Sequence, residues 1–374
     1  MEMEPMEIGH DQVVKKEDAK MSKYLKITLL LLNCAMLAIG TSGGPIVTKL
    51  YFLHGGKRIW FSSWLETAGW PIIILPLVAL YLHRRHRSKG GGDSRETTRL
   101  FFITPFIFIA SAVFGILTGL DDYLYAYGLD FLPASTSALV NATQLGFTAL
   151  FAFFLVRQKF TAYSINSIFL LTLAAVVLAF HTNGDRAANE TSRQYFMGFL
   201  MTIAASALYG LVLPMVELTY KKANQAITYT LVLEMQLVIS IFGTLFCTIG
   251  MLVNKDFEAI PREARAYTLG EAKYYWVVAF NAIAWQCFFL GAIGVIFCGS
   301  SLLSAIIITS LLPITEILTV IFFNESFKVE KGMSLILSLW GFASYFYGEL
   351  KASKKRNQHP EPENPHHHPP TSYV

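Results

Sequence analysis

The sequence predicts an all-α integral membrane protein with ten transmembrane helices in two inverted five-helix repeats. Hydrophobic residues make up 53% of the 374 residues and charged residues only 15%, whereas soluble domains carry roughly a quarter charged residues. Apolar runs recur along the whole chain, and about 20 apolar residues are enough for one helix to cross the hydrocarbon core. A weak internal repeat supplies the third observation. These three features predict the fold class.

Ten apolar segments have the length of a membrane span. The segment before the first span is charged and contains Lys15, Lys16, Lys20 and Lys23. It is longer than the charged start of a secretory signal, and no clear cleavage site follows, so we expect a retained first helix. The predicted spans cover residues 25–45, 64–82, 101–128, 133–156, 162–181, 196–218, 228–253, 274–297, 301–323 and 332–350.

A shift of 167 residues lays the fourth predicted span on the ninth. The identical pairs are Ser137 and Ser304, Ala138 and Ala305, Leu145 and Leu312, Thr148 and Thr315, and Phe160 and Phe327. The same shift maps five spans onto five. Because five is odd, the second copy enters the membrane in the opposite direction, an arrangement typical of secondary transporters that bind substrate near the midplane.

The repeat and the polar segments divide the chain into five parts. If the N-terminus is cytoplasmic, most of the 30 Lys and Arg residues lie on the cytoplasmic side, as the positive-inside rule requires. The sequon at Asn189 then lies outside, in agreement with glycosylation. We expect an N-terminal cytoplasmic tail (1–23), a first repeat (24–181), an extracellular loop (182–195), a second repeat (196–350) and a disordered cytoplasmic C-terminal tail (351–374).

Amide and indole side chains occur inside two predicted spans. Asn141 and Gln144 are three residues apart in the fourth span and share one helix face. The eighth span carries Asn281, Trp285 and Gln286. Polar side chains in a bundle often hydrogen-bond to a neighbouring helix. They are also the residues expected to bind a substrate, because polar groups are costly in hydrocarbon. We interpret these five as substrate-binding candidates.

Carboxylates form a second set of candidates. Asp121 and Asp122 lie within the third span if that helix continues to about residue 128, and Tyr125 follows them as a further substrate-binding candidate. Glu234 lies one to two turns inside the seventh span, with no basic residue within a turn. Burial disfavours the charged form of an unpaired carboxylate. Asp121 and Glu234 are therefore candidates for proton coupling or substrate binding.

Other intramembrane residues have structural explanations. Glu217 has Lys221 one turn further on, which favours an ion pair at a helix end. Glu66 is close to the start of the second predicted span and is interpreted as interfacial. Pro313 lacks a backbone N–H and loosens its helix, so it is a hinge candidate.

The candidate side chains suit a flat, neutral, nitrogen-rich heterocycle. Asn and Gln can pair with the edge of an adenine ring, and aromatic side chains stack on base planes. A nucleotide-sugar or phosphate exchanger would need basic residues in its cavity, and the spans carry them only near their ends. The nine His and four Cys residues form no HxxxH or CxxC pattern. We therefore expect no metal, no cofactor and no membrane enzyme, and no nucleic-acid partner.

Four segments resemble the plant purine permeases. They are GTSGGPIVTKLYFLHGGKRIWFSSWLETAGWPIIILPL (40–77), DDYLYAYGLDFLPASTSALVNATQLGFTALFAFFLV (121–156), YTLVLEMQLVIS (229–240) and LLPITEILTVIFFNESF (311–327). The resemblance implies the drug/metabolite transporter fold. It also implies uptake of adenine, cytokinins and related purines, coupled to protons, at a plant plasma membrane. Because some members carry alkaloids or vitamin B6, another heterocycle is the alternative substrate.

Overall fold

The computed structural model describes residues 23–88, 100–131, 134–180, 192–323 and 329–358. The predicted tails, the sequon at Asn189 and most of the loop 182–195 lie wholly or largely outside these ranges. Within them every regular element is a helix. The helices are α1 (Lys23–Leu53), α2 (Ile59–Thr67), α3 (Pro71–Ser88), α4 (Pro105–Phe131), α5 (Ala134–Val156), α6 (Ala162–Phe180), α7 (Ser192–Lys222), α8 (Tyr229–Asn254), α9 (Asp256–Ala266), α10 (Glu271–Cys298), α11 (Ser301–Phe323) and α12 (Val329–Gln358).

Seven helical segments in the described chain are long and apolar enough to cross a membrane. They are Tyr24–Leu53, Ile59–His86, Pro105–Gly128, Phe196–Lys222, Tyr229–Asn254, Glu271–Cys298 and Ser301–Phe323. The other three predicted spans coincide with α5, α6 and α12. The chain is thus a multi-pass helical membrane protein, and the count of ten spans stays a prediction.

Large apolar side chains point outward from several of these helices. Leu75, Phe154, Ile249 and Trp340 are each between 63% and 72% exposed. Soluble monomers rarely expose extensive apolar surface, whereas a bilayer provides an apolar environment for it. The outer surface of the bundle is therefore suited to contact with lipid.

The second predicted span, 64–82, corresponds to two helices. The first, α2, begins earlier than predicted, at Ile59, and α3 begins at Pro71. Proline lacks an N–H group and is tolerated at the first position of a helix. The break leaves its neighbours hydrogen-bonded, since Ile72 N donates to Gly69 O at 3.1 Å and Ile73 N to Trp70 O at 3.0 Å. This backbone turn corrects the predicted boundary.

A short helix, α9, lies in the predicted loop between the seventh and eighth spans. Lys255 separates it from α8 with a left-handed φ of 57°. Glu263 of α9 accepts hydrogen bonds from the hydroxyl groups of Tyr51 at 2.5 Å and Tyr274 at 3.1 Å. The backbone N–H of Lys57 donates to the same carboxylate at 3.1 Å. This carboxylate therefore joins α9 to the ends of α1 and α10.

The centre of the bundle is α10, whose apolar window is 78% buried against 28% for that of α1. These two helices pack along their length, and α4 packs on both α7 and α8. Contact between α1 and α10 is closest at Gly40, where a Cβ atom would lie only 2.3 Å from the backbone nitrogen of Phe288. Only glycine, which has no side chain, allows the two backbones to approach so closely.

Candidate functional site

A cavity of about 700 Å³, counting the part that is open to solvent, lies between helices from both halves of the chain. The described residues that line it are Thr41, Pro45, Glu66, Asp121, Asp122, Tyr125, Asn141, Gln144, Ala205, Ser206, Tyr209, Trp285, Phe288, Phe289, Ile308, Thr309 and Leu312.

Three carboxylates belong to the wall of this cavity. Glu66 comes from α2 and is 1% exposed, while Asp121 and Asp122 come from α4 and are 8% and 2% exposed. The carboxyl groups of Glu66 and Asp122 lie close enough to interact. Ser63 of α2 also donates to the backbone carbonyl of Asp122 at 3.3 Å. These contacts place the carboxyl groups of two different helices side by side.

The same wall has polar oxygens without hydrogen-bond partners among the described residues. They are Oε1 of Glu66, Oδ1 of Asp121, Oδ2 of Asp122 and Oγ1 of Thr41. No Lys, Arg or His is among the described residues that line the cavity. A buried polar atom without a partner carries a desolvation cost of about 1–3 kcal/mol. The wall can therefore accept hydrogen bonds from a ligand that carries N–H or O–H groups.

Two amides from α5 line the cavity on one helix face. Asn141 and Gln144 are both half-buried, and Ser206 of α7 donates to Oδ1 of Asn141 at 3.5 Å. An amide offers a donor and an acceptor together. This pair can therefore recognise a heterocycle edge that has both kinds of group.

Aromatic rings form the apolar part of the wall. The ring centroids of Trp285 and Tyr125 are 6.1 Å apart in an edge-to-face contact. Phe288 stacks on Tyr209 with ring centroids 5.6 Å apart. The indole rests on α1 at Gly44, where a Cβ atom would lie 2.9 Å from the ring. Its N–H donates to Oγ1 of Thr48 at 3.2 Å. Trp285 is therefore held in place with its polar group already bonded.

Five residues predicted from the sequence line the cavity together: Tyr125, Asp121, Asn141, Gln144 and Trp285. Two other predicted substrate ligands do not. Asn281 is fully buried and its Oδ1 accepts from Thr48 at 3.0 Å. Gln286 is also buried, and its Oε1 accepts from Ser240 at 3.3 Å. Asn281 instead supports the indole of Trp285 through Thr48, and Gln286 joins α10 to α8.

Glu234 does not line the cavity either. Its Oε2 accepts hydrogen bonds from the backbone N–H groups of Phe102 and Ile103 at 2.8 and 2.9 Å. The Arg84 guanidinium lies over the Phe102 ring at 4.6 Å. This carboxylate therefore holds the segment that leads into α4. Pro313 is buried within α11, one position after the lining residue Leu312.

Glu66 and Tyr209 also line the cavity but were not predicted as site residues, and Asp122 was placed in its span without a role. Glu66 was interpreted as interfacial because the second span was predicted to begin at residue 64. The helix starts at Ile59 and ends at Thr67, and Glu66 lies buried in its last turn at the cavity wall. The available signal was an acidic residue in an apolar segment with no Lys or Arg within a helical turn.

The family model for purine nucleobase transmembrane transport matches residues 28–355. Purine permease 3 of Arabidopsis thaliana is 54% identical over 330 residues, covering 88% of this chain and 93% of that protein. Purine permease 2 of the same plant is 51% identical over 342 residues, covering 88% and 94%. Probable purine permease 5 is 34% identical over 325 residues, covering 87% of each.

One solved crystal structure of a protein has the same overall arrangement, with a TM-score of 0.55. The match covers 85% of this chain and 97% of that chain at 14% identity. Since the identity is low, this likeness shows a shared fold alone.

Proposed function

The chain belongs to the purine permease family, and on that premise we propose that it imports purine bases and derivatives such as adenine and cytokinins. Members of this family are transporters, so the chain is not an enzyme. The proposed transport is secondary and driven by proton symport. The substrate occupies the cavity between the two halves of the chain, which opens alternately to either side of the membrane.

The composition of the cavity wall carries this proposal. Asn141 and Gln144 provide the amide groups, and Tyr125 and Trp285 provide aromatic surface. An amide can pair with the edge of a purine, and an aromatic ring can stack on its plane. The lining contains no basic side chain among its described residues, so nothing in it favours a phosphorylated substrate.

We further propose ten spans in two inverted repeats, 24–181 and 196–350. The helix pairs in contact support this arrangement. The first proposed span, α1, packs on the eighth, α10, and the sixth, α7, packs on the third, α4. If five is added to each span number, with counting restarted after ten, the pair of spans 1 and 8 becomes the pair of spans 6 and 3. The fourth and ninth spans, α5 and α11, also pack on each other and exchange with one another. Such pairing is expected if both repeats have one fold.

A plasma-membrane location with both termini in the cytoplasm completes the proposal. The orientation is supported by the excess of Lys and Arg in the segments that it places inside. Pro313 remains a hinge candidate, because proline weakens the helix in which it lies.

An alternative substrate is a cationic heterocycle such as an alkaloid, or vitamin B6. The specific observation in its favour is the group of three carboxylates in the wall, with no basic residue among the described lining. A neutral purine would use the same oxygens as hydrogen-bond acceptors for its N–H groups.

Purified full-length protein in proteoliposomes tests the function directly. An inward proton gradient should drive labelled adenine above its equilibrium level, and an uncoupler should abolish the accumulation. Unlabelled adenine, cytokinin, pyridoxine and an alkaloid are then compared as competitors. Adenine uptake that survives full collapse of the gradient would contradict proton symport. Competition by the alkaloid or pyridoxine alone would favour the alternative substrate.

A further inference from the structure

Glu66 and Asp122 are two neighbouring buried carboxyl groups in the wall of the cavity. The two carboxyl groups lie close enough to interact, and a hydrogen bond between them needs a donor, which an ionised carboxylate lacks. One member of the pair must therefore carry a proton for this bond to form. Both side chains are at least 98% buried, and two close carboxylates cannot readily ionise together in such surroundings.

Two further residues indicate that the pair faces a ligand-binding space. Asp121 is 8% exposed and lines the cavity with an unpartnered Oδ1. Thr41 of α1 is 5% exposed and has an unpartnered Oγ1 at the same cavity. The hydroxyl belongs to a different helix and carries no charge. The wall therefore combines a proton-sharing pair with acceptors that await a polar ligand.

No Lys, Arg or His side chain is among the described residues that line the cavity beside the pair. Among the described residues, the titratable groups that face it from other helices are Tyr209 of α7 and Cys247 of α8, with Asp121 beside it on α4. The lining contributed by α5 and α10 is uncharged. No group of three His, Cys, Asp or Glu side chains in the described chain is arranged to hold a metal ion.

We propose that the Glu66–Asp122 pair binds the proton that is transported together with the substrate. This inference deepens the proposed function and rests on it. The carrier is located in the wall of the substrate cavity, so proton and heterocycle occupy one space. Asp121, one residue away, is then positioned to receive an N–H group of the substrate.

The transport cycle balances with one proton. With the cavity open to the outside, the singly protonated pair binds one more proton from the external solution and becomes two neutral acids. The heterocycle then enters a wall from which one negative charge has been removed. After the cavity opens inward, the substrate leaves and one carboxylic acid releases its proton to the internal water. The pair returns to its shared-proton state with no other reactant.

Amide substitutions provide a direct test in proteoliposomes that contain the full-length protein. Glu66→Gln replaces an acid by an isosteric amide that still donates to Asp122, and Asp122→Asn does the same from α4. In the double variant Glu66→Gln/Asp122→Asn, which leaves no titratable group in the pair, accumulation of adenine should fall much further than exchange of labelled for unlabelled adenine. The double variant should not accumulate adenine above equilibrium in a proton gradient, and its uptake should lose its dependence on external pH. Each single variant retains one carboxylate that can still bind and release the proton, so it should keep part of this dependence.

Two further variants complete the design. Glu66→Asp retains a titratable group and should recover part of the pH-dependent accumulation. Glu258→Gln removes an exposed carboxylate of α9 and should accumulate adenine like the wild type. The amount of each variant in the vesicles is measured by quantitative immunoblot, and all rates are expressed per molecule.

Three results would overturn the proposal. The first is full pH-dependent accumulation by the double variant Glu66→Gln/Asp122→Asn. The second is loss of exchange as well as accumulation in Glu66→Gln, Asp122→Asn and Glu66→Asp, which would assign the pair to substrate binding or folding. The third is loss of pH dependence in Glu234→Gln alone. If the wild type itself fails to transport adenine with protons, the proposed function fails instead, so the two failures are distinguishable.

Discussion

The indole N–H of Trp285 donates to Oγ1 of Thr48 at 3.2 Å, and this contact joins α10 to α1 beside the cavity. Thr48 in turn donates to Asn281 at 3.0 Å. One threonine hydroxyl thus accepts from the ring that lines the cavity and donates to a residue behind it. We therefore expect this hydroxyl to help fix the orientation of the Trp285 ring.

Thr48→Val should therefore weaken substrate binding without lowering the amount of the protein in the membrane. Valine keeps the shape but leaves the indole N–H and the Asn281 carbonyl without partners, at a cost of about 1–3 kcal/mol. We expect the KM for adenine to rise roughly tenfold. Thr48→Ser retains the hydroxyl and should stay near the wild type. Equal KM values for the valine and wild-type proteins would show that the hydroxyl does not position Trp285.

Gln144→Ala should strongly weaken uptake. The change removes a donor and an acceptor from the cavity wall, and the loss of hydrogen bonds worth about 1–3 kcal/mol would raise the KM roughly tenfold or more. Labelled-adenine uptake and the amount of protein in the membrane are measured in parallel. Wild-type kinetics would remove Gln144 from the binding site.

These two predictions show which parts of the site were accessible from sequence. Helical spacing correctly placed Asn141 and Gln144 on one face, and both line the cavity. Spacing also placed Asn281 and Trp285 together, yet only Trp285 lines it. Helix α1 packs on the face of α10 that these two residues share, and its Thr48 contacts both of them. Periodicity identifies a stripe of side chains, but the neighbour that covers it depends on the approach of α1 to α10.

The burial of Glu66 at the cavity could not be predicted from sequence for a different reason. Hydropathy detects an apolar segment but does not detect where its helix begins, and α2 starts with Ile59 before a short, mixed segment. An error of a few residues changed the expected environment of Glu66 from a buried cavity to an interface. The contact with Asp122 joins two separate spans, so no local pattern could indicate it.

Glu234→Gln and Glu234→Ala should separate two roles for this residue. The amide oxygen of glutamine can still accept from the backbone N–H groups of Phe102 and Ile103, whereas alanine leaves both without a partner. We expect the glutamine variant to transport at a reduced rate with its pH dependence preserved. The alanine variant should lose most transport. These rates are compared in proteoliposomes over a range of external pH, and a pH-independent glutamine variant would assign proton coupling to Glu234.

Gly40→Ala should destabilise the protein. Its new Cβ atom would lie 2.3 Å from the backbone nitrogen of Phe288, which forces two helices apart at a cost of about 1–3 kcal/mol or more. Gly146→Ala is the matched control, because nothing lies within 4 Å of its Cβ position. Thermal unfolding in detergent should show a lower Tm for the first variant and an unchanged or higher Tm for the second. A wild-type Tm for Gly40→Ala would contradict the close contact.

Asp256 gives a pH-dependent prediction outside the membrane spans. Burial raises the pKa of this carboxyl, against the opposing effects of the Asn254 side chain and Arg58. A raised folded-state pKa means that stability is greatest at low pH and is lost as pH rises through that pKa. Asp256→Asn should therefore increase the Tm in mildly alkaline buffer, and the difference should shrink on acidification. A decrease in Tm at alkaline pH would show that the contact with Arg58, at 3.5 Å, is the larger effect.

The absence of a side chain at Gly40 also has a mechanical consequence. Helices that meet through layers of side chains can slide past one another by small changes of packing. At Gly40 the backbone of α1 lies directly against that of α10, with no room for a Cβ atom between them. These two helices come from opposite halves of the chain, and we expect them to move together as one unit. We therefore expect a rearrangement that admits or releases a substrate to take place at the other helix contacts around the cavity.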